Sequence, residues 1–161
     1  MAEDAARGRS VWWAGLASAA LLWVALPPCG WSWLGWLAPL PWLLLVRLPA
    51  LPGRRPYVKL WVTASLFWLA YLQGVRLAHP ALYLGWIALS LYLAAYIPCF
   101  IALSRVAVQR LRWPLAVAAP IVWVGLELIR GRLLSGFTGG MLGHTQSFVP
   151  PVIQVADLGG A

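Results

Sequence analysis

Five apolar runs, residues 11–26, 33–46, 57–77, 82–103 and 114–129, fill most of this sequence, and its arginines gather between or beside them. A helix that is apolar all round has only a deep protein core or lipid to face. With 62% hydrophobic and 10% charged residues in 161, the chain has too little polar surface to cover a water-soluble globule. The expected fold is all-α: a polytopic transmembrane helical bundle of about five to six membrane segments.

A bilayer core about 30 Å thick is crossed by about 20 helical residues. The first run is short for that and stops at Pro27-Pro28, because proline lacks the backbone donor and clashes with the preceding turn. Pro39 and Pro41 predict a kinked or broken second helix, which forms a tight hairpin with the first. Residues 47–59 carry Pro49, Pro52, Gly53, Arg54, Arg55 and Pro56, a loop that does not belong in hydrocarbon. The third and fourth runs are each long enough to cross. Pro114 opens the fifth, in the first helical turn where proline is favoured. Residues 130–151, rich in Gly, Ser and Thr, are expected to form an external loop, and residues 152–161 the start of a further membrane helix that breaks off, as in a truncated coding sequence.

Basic residues set the orientation, because Lys and Arg near span ends accumulate on the cytoplasmic side. Placing residues 1–10 inside puts Arg7, Arg9, Arg47, Arg54, Arg55, Lys59, Arg105, Arg110 and Arg112 there and leaves Arg76, Arg130 and Arg132 outside. The formal charge of +8 is thus a topology signal and not a nucleic-acid stripe. Twelve tryptophans suit the headgroup interface. No small-x-small site follows the first run, so it is read as a retained segment and not a cleaved leader. Cys29 and Cys99 lack CxxC or Cys/His spacing and read as packing residues.

Ionisable groups inside a membrane segment are functional candidates by default. Glu127 lies near the end of the fifth run with Arg130 at i+3, close enough for an ion pair. That pair either anchors the helix end or meets a polar lipid headgroup. Arg76 reads either as a phosphate ligand or as a snorkelling arginine. His79 and His144 have no partners at metal-ligand spacing, and no cofactor is expected. Cysteine catalysis needs a base and an oxyanion stabiliser. The one lysine, Lys59, and the four acids, Glu3, Asp4, Glu127 and Asp157, cannot converge on a cysteine from one side of the membrane.

A specific pattern begins at Pro120: Pro120-x-x-Trp123-x-x-x-Glu127-x-x-Arg130, then Ser135-Gly136-Phe137, Gly143-His144-Thr145-Gln146, and Gln154-x-Ala156-x-x-Gly159. This resembles the membrane region of bacterial apolipoprotein N-acyltransferases, with its Glu-x-x-Arg helix, Thr-Gly-Phe-Pro-Trp loop, Gly-Tyr-Ser-Gln segment and Gln-x-Ala-x-x-Gly stretch. Pro27-Pro28-Cys29-Gly30-Trp31 and Leu37-Ala38-Pro39-Leu40-Pro41-Trp42 are similar to that family's first hairpin. Two places depart: Thr138-Gly139-Gly140 stands where the family has Pro-Trp, and His144-Thr145 replaces Tyr-Ser.

The resemblance implies a bacterial inner-membrane acyltransferase. Its partners are membrane phospholipid, which donates an acyl chain to an enzyme cysteine, and a lipoprotein whose diacylglyceryl cysteine amine accepts it. It also implies that the Glu, Lys and Cys triad belongs to a following nitrilase-like domain, absent from these residues, so this chain alone is expected to be inactive. Arg76, Glu127, Arg130, His144 and Gln146 are the candidates to face substrate or lipid, and none is assigned a catalytic role. The alternative is a non-catalytic membrane scaffold or partner subunit.

Overall fold

A computed structural model describes residues 2–77, 79–133 and 136–154, with side chains from Ser10 onward. Every regular element among the described residues is helical. Helix α1 (Ala2–Ala25) is followed by the short α2 (Leu34–Leu37) and α3 (Leu40–Arg47), then α4 (Pro56–Tyr71), α5 (Leu82–Ala94), α6 (Tyr96–Arg105), α7 (Leu115–Arg130) and a final turn, α8 (Pro150–Ile153).

Proline and glycine explain most of the boundaries. Pro27 and Pro28 end α1, and the turn closes when Gly30 N–H donates to Leu26 O and Trp31 N–H to Val24 O. Gly30 has φ +67°, and an added Cβ there would run into the Phe148 ring. The second run is split at Pro39 into α2 and α3, as the prolines predict. Pro56 and Pro114 stand at the starts of α4 and α7. Pro98 interrupts the fourth run at Ala95, where α5 passes into α6 without changing helical hand. The third run is helical only to Tyr71, six residues short of its expected end, and tightens into a 3-10 turn at Val75–Leu77.

Helix α1 packs along α4 and α3, α4 along α5 and α6, and α6 along α7 and α3. Leu22, Leu26, Val46, Leu60, Phe67, Leu93, Phe100 and Ile101 form the core. Trp123 of α7 stacks on Trp42 of α3 (5.8 Å) and meets Phe100 of α6 edge-on (4.9 Å), which joins three helices through one ring.

The bundle is apolar outside as well as inside. Val117, Ile121, Val124 and Leu128 recur at i, i+4, i+7 and i+11 along α7 and all four are exposed, as are Leu44, Leu66 and Leu84 on other helices. One continuous helical stretch among the described residues, Leu82–Arg110, has the length and apolarity to cross a membrane: 29 residues at a mean hydropathy of 2.0. Ser10–Ala25 and Leu34–Arg47 are apolar but shorter.

Where α1 crosses α4, Gly15 faces the buried Thr63, whose hydroxyl donates to Leu60 O (2.9 Å). A Cβ at Gly15 would overlap that side chain. Gly15→Ala is expected to cost about 1–3 kcal/mol by overpacking, read as a fall in the thermal unfolding midpoint. Adding Thr63→Ala should restore most of the loss; a lone Gly15→Ala without effect would show that the helices do not approach this closely.

Candidate functional site

The polar residues of interest gather where α7 ends. Glu127 is one turn from that end, and its Oε1 accepts the N–H of Leu142 at 2.8 Å. The same oxygen lies 3.9 Å from Arg130 Nη2, too far for a hydrogen bond but within reach of Coulomb attraction. Arg130 is the last residue of α7 and only 5% exposed, with its guanidinium over the Trp68 ring at 5.5 Å. Its Nε and Nη2 are buried and have no hydrogen-bond acceptor. Its own carbonyl accepts from Phe137 N–H (3.2 Å), which turns the chain back across the helix end.

The segment expected as an external loop is folded onto this end of the bundle. Gly136 and Gly140 take positive φ (77° and 64°), and a 3-10 turn forms at Leu142–Gln146. Within it Thr145 Oγ1 donates to Leu142 O (2.7 Å). Gln146, buried, reaches across to the first hairpin and donates from Nε2 to Ser32 O (2.8 Å) and to Thr145 Oγ1 (3.0 Å). Gly35 of α2 lies against the Thr145 hydroxyl with no room for a side chain. Glu127, the 3-10 turn and the hairpin therefore form one continuous polar seam across an otherwise apolar bundle.

Two cavities flank the seam. One of about 40 Å³ runs between α1, α3, α4, α6 and α7 and is walled by Trp42, Trp68, Tyr96, Trp123, Glu127 and Arg130; that is room for a few waters at most. The other, about 320 Å³, lies under the 3-10 turn between Trp36, Trp123, Glu127, Leu142, His144 and Gln146. Its size falls in the range of small-ligand sites. Glu127 and Trp123 wall both.

The structure thus brings Glu127, Arg130, His144 and Gln146 together, and not Arg76. Arg76 follows α4, with its guanidinium 5.1 Å from the Trp86 ring and 5.8 Å from that of Tyr83, and it lines neither cavity. His79 sits in a turn, where its Nδ1 accepts Ala81 N–H (3.1 Å). Trp36, Trp68 and Tyr96 are wall residues that no sequence motif marks, and Thr145, a motif position, owes its place in the seam to the fold. Trp123 was visible as a motif position, while Trp68 and Tyr96 carry no signal beyond being aromatic in apolar runs. Ser135 and the stretch 155–161, which holds most of the last motif, lie outside the described residues.

This arrangement can position and bind. Cys29 and Cys99 are exposed on separate elements, and no group of three His, Cys, Asp or Glu able to hold a metal occurs among the described residues. A profile described as the apolipoprotein N-acyltransferase N-terminal domain matches residues 18–161, which takes in the hairpin, both cavities and the seam. The chain belongs to this family. Apolipoprotein N-acyltransferases so named from Rhodopirellula baltica, Geobacter metallireducens and Gloeobacter violaceus are 41%, 31% and 28% identical to it. The alignments cover 89%, 89% and 99% of this chain but 27%, 28% and 33% of those relatives. The chain therefore spans between a quarter and a third of their length. No solved structure matches it.

Proposed function

We propose that this chain is the membrane platform of an apolipoprotein N-acyltransferase, the part that holds lipid substrates beside a catalytic domain contributed by further sequence. It crosses a bacterial inner membrane five to six times with its N-terminus in the cytoplasm. Its substrates are a phospholipid acyl donor and the N-terminal diacylglyceryl cysteine of a lipoprotein. Holding two bilayer-embedded reactants in register is a gain of proximity and orientation, and it needs no nucleophile on the platform.

The observation that carries this reading is the polar seam on a bundle whose outer faces are apolar. Exposed Val117, Ile121, Val124 and Leu128 fit lipid tails, while Glu127, Arg130 and the 3-10 turn gather polar groups at one end. The contacts also fit the alternation of ends on which that orientation is built. Arg105 donates to the carbonyls of Leu45, Leu48 and Pro49, which sets two basic connections at one end of the bundle; Gln146 ties the hairpin tip to residues 136–149 at the other. Those are the pairings that the positive-inside alternation requires.

The test is an acyl-transfer assay with phospholipid donor and diacylated lipopeptide acceptor. The purified 161-residue protein is expected to give no turnover. A longer polypeptide read through the frame beyond Ala161 is expected to give turnover. Turnover by the 161 residues alone would overturn the platform reading, and a longer polypeptide that stays inactive would favour a non-catalytic scaffold.

A further inference from the structure

The smaller cavity is walled by donors that lack acceptors. Among the described residues, the buried side-chain N–H groups without a hydrogen-bond partner include Nε1 of Trp42, Nε1 of Trp123, and Nε and Nη2 of Arg130, and all three residues line this one cavity. Other indoles of the bundle are matched: Trp61 Nε1 donates to Leu91 O (3.0 Å) and Trp86 Nε1 to Leu69 O (3.1 Å). Buried donors are almost always paired in folded proteins, so a cluster of unpaired ones calls for an acceptor from outside the chain.

The donors stand in a row. Trp123 and Arg130 are seven residues apart on α7, so they share a face and lie about 10.5 Å apart along the axis. Trp42 of α3 stacks on Trp123 at 5.8 Å. Indole and guanidinium only donate, so whatever meets them must offer acceptors. One oxygen cannot meet both ends of a row that long. An anion is not called for, because the Glu127 carboxylate 3.9 Å from Arg130 already offsets its charge. The cavity measures about 40 Å³, against about 10–15 Å³ for one water by the same measure. That excludes an acyl chain.

We propose that this cavity is an internal hydration site, holding a short file of roughly two or three waters that accept from Trp42, Trp123 and Arg130. Acceptors for the waters' own hydrogens stand in the same wall: the Glu127 carboxylate, and the Tyr96 hydroxyl, which shares one hydrogen bond with the Tyr92 hydroxyl (2.6 Å). The file solvates a guanidinium that an apolar bundle would otherwise leave bare, and it carries water from the seam into the interior along α7. The site concerns the inside of the bundle and does not depend on the acyl-transfer reading.

The test is water-selective nuclear Overhauser spectroscopy of the 161-residue protein in lipid nanodiscs, with isotope-labelled indoles; Trp42→Phe and Trp123→Phe assign the two signals. The expected result is a cross-peak to water from the indole N–H of each. Ala64 is buried in the same wall, and Ala64→Val is expected to abolish both cross-peaks and leave those of the other indoles unchanged. Ala19→Val on α1 fills the cavity from another helix and should do the same, which covers the case in which one filling variant does not fold. No water cross-peak from either indole in the parent, or cross-peaks only to lipid-chain protons, overturns the hydration site. So do water cross-peaks that persist unchanged in a folded filling variant, because their source then lies outside the cavity.

Discussion

Glu127→Ala is expected to lower the stability of this protein by roughly 3 kcal/mol, as seen when one partner of a buried ion pair is removed; for a chain of this size that is about 6–12 °C in unfolding midpoint. Two losses combine. Arg130, already without acceptors for Nε and Nη2, would lose the carboxylate 3.9 Å away. Leu142 N–H would lose the oxygen that fixes the start of the 3-10 turn. Limited proteolysis should therefore cut residues 136–149 in the variant and spare them in the parent. Glu127→Gln separates the terms, since its amide oxygen still accepts from Leu142 while the charge is gone. It should keep the segment protected yet recover only part of the midpoint. If Glu127→Ala left both readouts unchanged, the seam would not hold the segment in place.

The sequence made much of this bundle legible because its punctuation is local. Pro27-Pro28, Pro39, Pro56 and Pro114 act through a missing N–H and a fixed φ, so their effect is independent of what packs nearby. The Glu127 and Arg130 pairing was readable for the same reason, since i+3 spacing on a helix sets it. The end of α4 was not. Apolar residues continue to Leu77, but Gln73-Gly74 breaks the helix, and glycine costs about 1 kcal/mol there relative to alanine.

What composition concealed was tertiary. Residues 130–151 read as an external loop because Gly, Ser and Thr lack helical period, yet Gln146 bonds to Ser32, 114 positions away, and Phe148 packs against Gly30. Such contacts leave no local signature. Arg76 read either as a phosphate ligand or as a snorkelling arginine, and the aromatic faces of Trp86 and Tyr83 beside its guanidinium come from the next helix, which sequence spacing does not reveal.

Arg105 shows how much a basic residue can do beyond marking topology. Its guanidinium donates from Nη1 to Leu45 O and Leu48 O, and from Nη2 to Pro49 O (3.0 Å) and Gln109 Oε1 (3.3 Å); Gln109 Nε2 adds bonds to Val46 O and Leu48 O. These carbonyls lie in the last turn of α3 and just after it, where the helix dipole has its negative end; of them Leu45 O also accepts the N–H of Leu48 (3.3 Å). The guanidinium holds Nη1 and Nη2 as separate donor groups in a fixed planar fork, whereas an ammonium carries its three donors on one nitrogen at the end of a flexible stem. Arg105→Ala is therefore expected to cost about 2–4 kcal/mol, because several acceptors lose a charged donor. Arg105→Lys should restore less than half of that, although it preserves the charge. Thermal unfolding of the three proteins side by side decides the matter. Were Arg105 only a cytoplasmic charge marker, lysine would serve as well as arginine and its midpoint would equal that of the parent.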